Sequence, residues 1–412
     1  MKYKQPLRKI LIETESHWDK PTTRPAVRRA YKETVKCRTF ALGALLFASG
    51  NELRLVPGSC KSRGCPSCGQ RNTEQWQREQ WAALPEIPYK GITLTMPDAL
   101  WPLFRNNRKL LACLSTLGAK VIENWAKEKY GVQLLTTVVP HTFGRHLNFN
   151  PHLHVIVSVL GLRESDGRLV PAFFNRDRLM RRWRLAVITL LREALKRGDL
   201  ISEMGEKELE AMLTKHLERW WSVHVTHCKS KTHLLRYIGR YVRRPPLAEH
   251  RLVEINKYWV VFWTEDHKLK RRVQTWYSPE RFVELLGEHI PDDHRHAIHH
   301  YGLLSPRGKN RTLSLIFALL AQPKRPRPRR RGWAESLKKT FNYDPLVDSK
   351  GARMSFVRRL AREEICELRL TLSRELNLRP NVLVVLGPAA RLWLAEQTRH
   401  RDLPIEHRRG DN

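Results

Sequence analysis

Two apolar runs separated by a short polar segment constrain the fold of this chain most strongly. They are VQLLTTVVP at residues 132–140 and HLHVIVSVLGL at residues 152–162. Their length and β-branched composition are typical of buried strands, and the intervening HTFGRHLNFN is predicted to be the loop that pairs them as a hairpin. GITLTMP at residues 91–97 predicts a further strand, and residues 107–131 predict a long helix. These elements together predict an α+β fold.

Downstream segments continue the mixed pattern. Helical periodicity covers residues 172–222 with a break near residues 197–199, and a shorter helix is predicted from Thr232 to Arg243, where Pro245 and Pro246 end it. The aromatic-rich segments INKYWVVFWTE and KRRVQTWY predict two more strands.

The charge balance of the 412 residues indicates a polyanionic partner. Lys and Arg number 75 against 41 Asp and Glu, a difference of +34, and the isoelectric point is near 10.4. Nucleic acid is the leading candidate for such a partner. No apolar run approaches the roughly 20 residues that span a bilayer, so we expect a cytoplasmic, nucleoid-associated protein.

Three cysteines form a tight group that predicts a metal site. Cys60, Cys65 and Cys68 lie within SCKSRGCPSCG, a C-x4-C-x2-C pattern. Thiolates at this spacing can converge on one tetrahedral zinc ion, which needs a fourth ligand. Cys37 is the nearest upstream cysteine and the preferred candidate, with His17 as a weaker alternative.

A pair of histidines on the second strand predicts another metal site. His152 and His154 flank one residue, and because side chains alternate along a strand, both imidazoles should point the same way. His141 lies at the end of the preceding strand, where a hairpin would bring it beside them. His146 and Gln133 are less well placed alternatives for the third ligand.

Two tyrosines at helical spacing predict a pair of nucleophiles. Tyr237 and Tyr241 are four residues apart in LLRYIGRYVRRPP, so they should share one helix face. Basic residues interleave with them, a composition that suits a helix lying along a phosphate backbone rather than a core. A second basic segment, PKRPRPRRRG, is predicted to be a linker or a phosphate-binding arm. The candidate DNA-binding residues in the two segments are Arg236, Arg240, Arg243, Arg244, Lys324, Arg325, Arg327, Arg329, Arg330 and Arg331.

Several stretches, in order, resemble the two-tyrosine rolling-circle transposases of insertion sequences, within the HUH endonuclease superfamily. CRTFALG and SCKSRGCPSCG resemble that family's zinc-binding region. HTFGRHLNFNPHLHVIVSVLGL resembles its metal motif, and RYIGRYVRRPPLAEHRL resembles its tyrosine motif. FVELLGEHIPDDHRHAIHHYGLLSPR resembles the block that closes its catalytic domain. The match covers about residues 30–310.

The resemblance implies a central antiparallel sheet flanked by helices, with Mg²⁺ or Mn²⁺ on His152 and His154 and a structural Zn²⁺ on the cysteines. Tyr237 and Tyr241 would cut single-stranded DNA at insertion-sequence ends and transfer it to a target through a 5′-phosphotyrosine. A host helicase could supply the single strands. The expected domains are a zinc-binding region at 1–85, a catalytic domain at 86–305, and a basic linker and tail at 306–412.

Two other functions remain open on the sequence alone. One keeps the chemistry in a plasmid replication initiator or relaxase of HUH type. The other is a zinc-containing DNA-binding regulator without catalysis, which would bind DNA and form no covalent adduct.

Overall fold

The computed structural model describes residues 5–50, 52–62, 64–227, 230–239, 246–266 and 270–365. The chain divides into two compact units. The larger unit contains residues 1–31 and 69–330, and the smaller contains residues 32–68 and 331–412.

Helices and strands alternate along the chain, as the mixed sequence pattern predicts. The helices are α1 (Pro6–Glu13), α2 (Glu15–Trp18), α3 (Pro25–Lys36), α4 (Pro66–Ala83), α5 (Trp101–Asn106), α6 (Arg108–Tyr130), α7 (Arg176–Lys196), α8 (Glu206–Glu218), α9 (Lys231–Gly239), α10 (Pro279–Glu288), α11 (Lys309–Leu319) and α12 (Trp333–Phe341). The strands are β1 (Ala44–Ser49), β2 (Glu52–Pro57), β3 (Tyr89–Leu94), β4 (Val132–Gln133), β5 (Leu135–Phe143), β6 (Phe149–Ser158), β7 (Leu160–Arg163), β8 (Leu169–Pro171), β9 (Val223–His227), β10 (Leu252–Ile255), β11 (Val260–Asp266), β12 (Arg271–Tyr277), β13 (His299–Gly302) and β14 (Ser355–Leu360).

A five-stranded antiparallel sheet forms the centre of the larger unit. Its strand order is β13-β5-β6-β3-β9, and every neighbouring pair is antiparallel. The hairpin predicted from the two apolar runs is therefore confirmed as its β5–β6 pair. The predicted α+β class with a central antiparallel sheet is confirmed.

Helices cover both faces of this sheet. On one face, Val138, Leu153 and Val155 pack in a core with residues of α6, α7 and α8. A side chain at Gly118 of α6 would place its Cβ 2.4 Å from Leu153 Cδ1, so the glycine permits the helix to lie close to β6. The opposite face carries a second core with residues from α4, α9 and α11.

The hairpin loop is shorter than the sequence pattern predicts. The expectation that all of residues 141–150 form a loop is wrong at both ends, because β5 continues to Phe143 and β6 begins at Phe149. Phe143 and Phe149 pair across the ladder after a register shift, and the Gly144 amide donates to the Asn148 carbonyl. Burial of Phe149, which is 1% exposed, favours this extended pairing over a polar loop.

Three further sheets complete the described structure. In the larger unit, β4, β7 and β8 form one small antiparallel sheet and β10, β11 and β12 form another. In the smaller unit, β1 pairs with both β2 and β14. Among the residues that the structure describes, no helix is both long and apolar enough to cross a lipid bilayer.

Candidate functional site

Three histidines converge on one face of the central sheet. His141 on β5 lies directly opposite His152 on β6, and Val139 lies opposite His154 in the same ladder. The imidazole rings are 4.9–5.4 Å apart between centroids, and one nitrogen from each ring lies within 4.8 Å of those of the other two. His141 and His154 are buried and His152 is half-buried. Strand register thus brings the predicted trio together.

Burial favours the neutral form of His152 and His154, and hydrogen bonding orients the His152 ring. His152 Nδ1 donates to the Asn150 carbonyl at 2.7 Å, which leaves its Nε2 with a free lone pair. His154 Nδ1 lies 3.4 Å from the hydroxyl of Thr93, which faces it from β3. Burial lowers the pKa of His152, and burial followed by the charge on His152 lowers the pKa of His154 to about 3. Neutral imidazoles are the form that coordinates metal ions.

The two alternative candidates for the third ligand, His146 and Gln133, interact with other residues. His146 Nδ1 is 3.0 Å from the Thr275 hydroxyl, in the loop after β5. Gln133, on β4, donates from its side-chain amide to the Glu164 carboxylate. The structure therefore brings His141, and neither alternative, into the cluster with His152 and His154.

Helix α9, which contains Tyr237, lies over the same sheet face as the histidines. On β5, Leu135 and Val139 share the alternating face of His141, and on β6 Ile156 shares that of His154. These three apolar residues pack in one core with Leu234, Leu235 and Ile238 of α9. Tyr237 and Arg236 belong to this helix. The side chain of Tyr237, and the whole of Tyr241, Arg240, Arg243 and Arg244, lie outside the described residues.

A buried lysine anchors the start of this helix, and sequence reasoning missed it. Lys231 Nζ donates to the carbonyls of Trp81 and Leu84 and pairs with Glu86 at 2.8 Å. It therefore caps the carboxyl end of α4, where a positive charge is favourable. Burial lowers the pKa of Lys231, and Glu86 opposes that effect. A lysine in the first turn of a helix is unfavourable for the helix dipole. Its position in the sequence could therefore have indicated that Lys231 has a structural role.

The basic segment at residues 324–331 runs without helix or strand, as predicted for a linker or arm. Arg325 stacks over the Trp81 ring at 4.2 Å and pairs with Glu86 at 2.9 Å. Arg327 pairs with Glu79 at 3.1 Å, although its side chain is 82% exposed. Lys324 donates to the Ser314 hydroxyl.

The last positions of this basic segment differ in their surroundings. The Arg329 carbonyl accepts from Arg78, whereas Arg331 pairs with Glu335 within the smaller unit. The Arg330 side chain is exposed.

Four cysteines form a second cluster, within the smaller unit. The sulfur of Cys37 lies 3.6 Å from those of Cys65 and Cys68, and Cys60 lies 3.7 Å from Cys68. A tetrahedral zinc site with Zn–S bonds of about 2.3 Å needs sulfur atoms about 3.8 Å apart, so the spacing fits. Hydrogen bonds from the sulfur of Cys37, and then of Cys60 and Cys65, lower the pKa of the Cys68 thiol. His17, the weaker alternative, pairs instead with Glu284.

Comparisons with known proteins identify two domains in this chain. A family model described as "Transposase zinc-binding domain", of the IS91 type, matches residues 10–96, and one described as "Putative transposase" matches residues 136–312. The chain is 30% identical over 338 residues to the "Transposase for insertion sequence element IS801" of Pseudomonas savastanoi pv. phaseolicola, covering 78% of this chain and 80% of that protein. The chain belongs to the IS91 family of rolling-circle transposases.

A second relative gives the same result at lower identity. The transposase is 27% identical over 313 residues to the "Putative transposase y4qJ" of Sinorhizobium fredii (strain NBRC 101917 / NGR234), covering 72% of this chain and 78% of that protein. No solved structure matches the chain significantly.

Family membership makes the protein a DNA-processing enzyme with DNA as its partner. The matched zinc-binding domain spans all four clustered cysteines, and together they support a structural zinc ion in this transposase. The matched transposase domain spans His141, His152, His154 and α9.

Proposed function

We propose that this transposase cuts one DNA strand at an insertion-sequence end and transfers it through a covalent 5′-phosphotyrosine intermediate. The observation that carries the proposal is the three-histidine cluster on the sheet face that α9 covers. A cation-binding group and a tyrosine-bearing helix on one face are the two parts that such a reaction requires.

His141, His152 and His154 would hold Mg²⁺ or Mn²⁺. Three neutral imidazoles are softer donors than the oxygen ligands that Mg²⁺ prefers, so this set of ligands should bind Mn²⁺ more tightly than Mg²⁺. A divalent ion held there supplies a positive charge that polarises the scissile phosphate. The Asn150 carbonyl fixes the His152 ring for this purpose by accepting its Nδ1 proton.

Tyr237 and Tyr241 would be the nucleophiles. The phenolic oxygen of one tyrosine forms a bond to phosphorus while the bond from phosphorus to the 3′ oxygen breaks. The phenolic proton is lost and the departing 3′ oxygen takes up a proton as a hydroxyl. The phosphodiester energy is kept in the phosphotyrosine, so a strand hydroxyl can reverse the step at a second end or at a target without ATP.

The substrate would be single-stranded, with bacterial host helicase activity supplying the strands in a nucleoid-associated, cytoplasmic setting. Arg236, Arg240, Arg243 and Arg244 would neutralise its phosphates beside the tyrosines, together with the exposed members of the basic segment. Binding should therefore weaken steeply as the salt concentration rises.

The test is covalent capture. Purified protein is incubated with Mn²⁺ and labelled single-stranded DNA from the element's ends, and the products are separated on a denaturing gel. We expect a protein–DNA band that survives Tyr237→Phe or Tyr241→Phe alone and disappears in the double variant and in His152→Ala. Tyr343→Phe is the matched control, because Tyr343 is an exposed tyrosine in the smaller unit.

Two results would overturn the proposal. Salt-sensitive DNA binding with no adduct on any end sequence would favour the non-catalytic regulator. An adduct that persists in the double tyrosine variant would place the nucleophile elsewhere, and mass spectrometry of the DNA-linked peptide would then identify it.

A further inference from the structure

We propose that the outer face of the β10–β11–β12 sheet is a stacking platform for unpaired bases of the DNA strand that enters the histidine site. This inference rests on the proposed function, because it names a subsite for the same single-stranded substrate. It concerns residues outside the histidine, tyrosine and arginine motifs.

Tryptophans concentrate on one face of this sheet. Val261 lies opposite Trp276 and Trp263 lies opposite Gln274, so these side chains share the outer face. Trp263 is 38% exposed and Trp276 is 59% exposed. Trp259, 43% exposed, packs edge-on against Trp276 with ring centroids 4.7 Å apart.

The fold does not need these rings for its own core. The alternate residues of β11, which are Val260, Phe262 and Thr264, are at most 2% exposed. Phe262 packs against Phe282 of α10 with ring centroids 6.0 Å apart. The inner face is thus already buried, and a cluster of exposed tryptophans on the outer face marks an interaction surface.

This sheet is tied to the loop that joins the two histidine strands. Arg145 in that loop donates to the Glu265 carbonyl of β11, and the Tyr277 hydroxyl of β12 donates to the His146 carbonyl at 2.8 Å. Arg251 donates both to the Trp263 carbonyl and to the Arg145 carbonyl. The loop spans residues 144–148 between the strands that carry His141 and His152, so this sheet is anchored to the same hairpin as the histidines.

The charges around the face fit a nucleic acid. Among the side chains that the structure describes at this sheet, the exposed cations are Lys257, Lys270, Arg271 and Arg272, and the exposed carboxylates are Glu254 and Glu265. Exposed aromatic rings bordered by cations are how sheet surfaces hold single strands, because every base has a face that stacks and every linkage has a phosphate. A chain with a formal net charge of +34 favours this occupant over a neutral protein surface.

The test measures binding of fluorescein-labelled single-stranded oligonucleotides by anisotropy, in the Tyr237→Phe, Tyr241→Phe background so that no DNA is consumed. The probes are an intact strand, the same strand with abasic spacers, and its duplex. The variants are Trp263→Ala with Trp276→Ala, the same pair changed to Phe, and Trp220→Ala. Trp220 is a control outside this sheet, and at 58% it is as exposed as Trp276.

We expect the double alanine variant to lose about tenfold in affinity or more for the intact strand, because stacking of one base is worth about 1–3 kcal/mol. Replacing bases by abasic spacers should lower the affinity of the protein with intact tryptophans by a similar factor. The same replacement should not lower the affinity of the alanine variant any further. Duplex binding, the salt slope and the Trp220→Ala variant should be unchanged. The phenylalanine pair should keep most of the affinity.

Two outcomes would overturn the platform. Equal loss from abasic spacers in both the tryptophan and alanine proteins would show that the bases stack elsewhere. Unchanged DNA affinity, with a dimer that dissociates in the alanine variant during sedimentation, would assign the face to a second copy of the chain. A loss on base removal without any covalent adduct in the unsubstituted protein would support the platform while removing the proposed chemistry.

Discussion

His141 and His152 face each other across the β5–β6 ladder, with ring centroids 5.1 Å apart. This pairing selects His141 over His146 as the third member of the cluster, although His146 is closer to His152 in sequence. His141→Ala should weaken Mn²⁺ binding by at least about tenfold, whereas His146→Ala should leave it unchanged. Titration of Mn²⁺ followed by electron paramagnetic resonance measures both. Equal losses in the two variants would contradict the assignment.

The cysteine cluster predicts that the smaller unit binds zinc. Cys68→Ser removes the sulfur that lies 3.6–3.7 Å from Cys37 and Cys60. Zinc affinity should fall by more than about 100-fold, because losing a ligand costs more than losing an outer-shell partner. Competition with a chromogenic chelator and metal analysis measure this. Cys113→Ser is the control, since Cys113 is exposed and outside the cluster, and retention of zinc by Cys68→Ser would refute the site.

The basic segment should separate into positions that stabilise the fold and positions that bind DNA. Arg325→Ala removes the Trp81 stacking and the Glu86 ion pair, so the melting temperature should fall. Arg330→Ala removes an exposed charge, so the melting temperature should stay constant while the slope of log affinity against log salt becomes shallower by about 1. Calorimetry and anisotropy titrations test this pair, and interchanged effects would contradict it.

Two glutamates of α6 should give opposite pH dependences of stability. Burial raises the pKa of Glu123, while the Thr136 hydroxyl and the Leu134 amide donate to it. A raised pKa means that the folded state binds the proton more tightly than the unfolded state. The contribution of Glu123 to the free energy of unfolding is therefore most favourable below about pH 4.3, and it declines as the pH rises. Relative to the parent protein, Glu123→Gln should therefore gain free energy of unfolding as the pH rises above about 4.3.

Glu128 is the matched control on the same helix. Arg182 donates to its carboxylate and lowers its pKa, so its stabilisation is present above about pH 4.3 and lost as the pH falls below that value. Glu128→Gln should consequently match the pH dependence of the parent protein above about pH 4.3 and differ from it only at lower pH. Urea unfolding followed by circular dichroism across this range tests both variants. A flat difference for Glu123→Gln would mean that its carboxyl is not desolvated.

Much of the site could be predicted because it depends on local periodicity. Alternation along β6 puts His152 and His154 on one face, and a hairpin returns β5 beside them. The C-x4-C-x2-C spacing likewise predicts a thiolate cluster. The loop boundaries could not be predicted, because burial of Phe149 and the register shift after His141 depend on packing that a polar segment does not reveal.

The fold class, the cysteine group and the histidine pair could be predicted from the amino-acid sequence, since each depends on patterns of residues close together in the chain. The distant residues that join them could be identified only from the folded structure. Strand register places His141 beside His152, and a shared core that contains Val139, Ile156 and residues of α9 places that helix on the histidine face. Likewise, only the tertiary structure places the Lys231 ammonium group at the carboxyl end of α4. Such contacts are fixed by burial and close packing among residues far apart in sequence, and no local pattern encodes them.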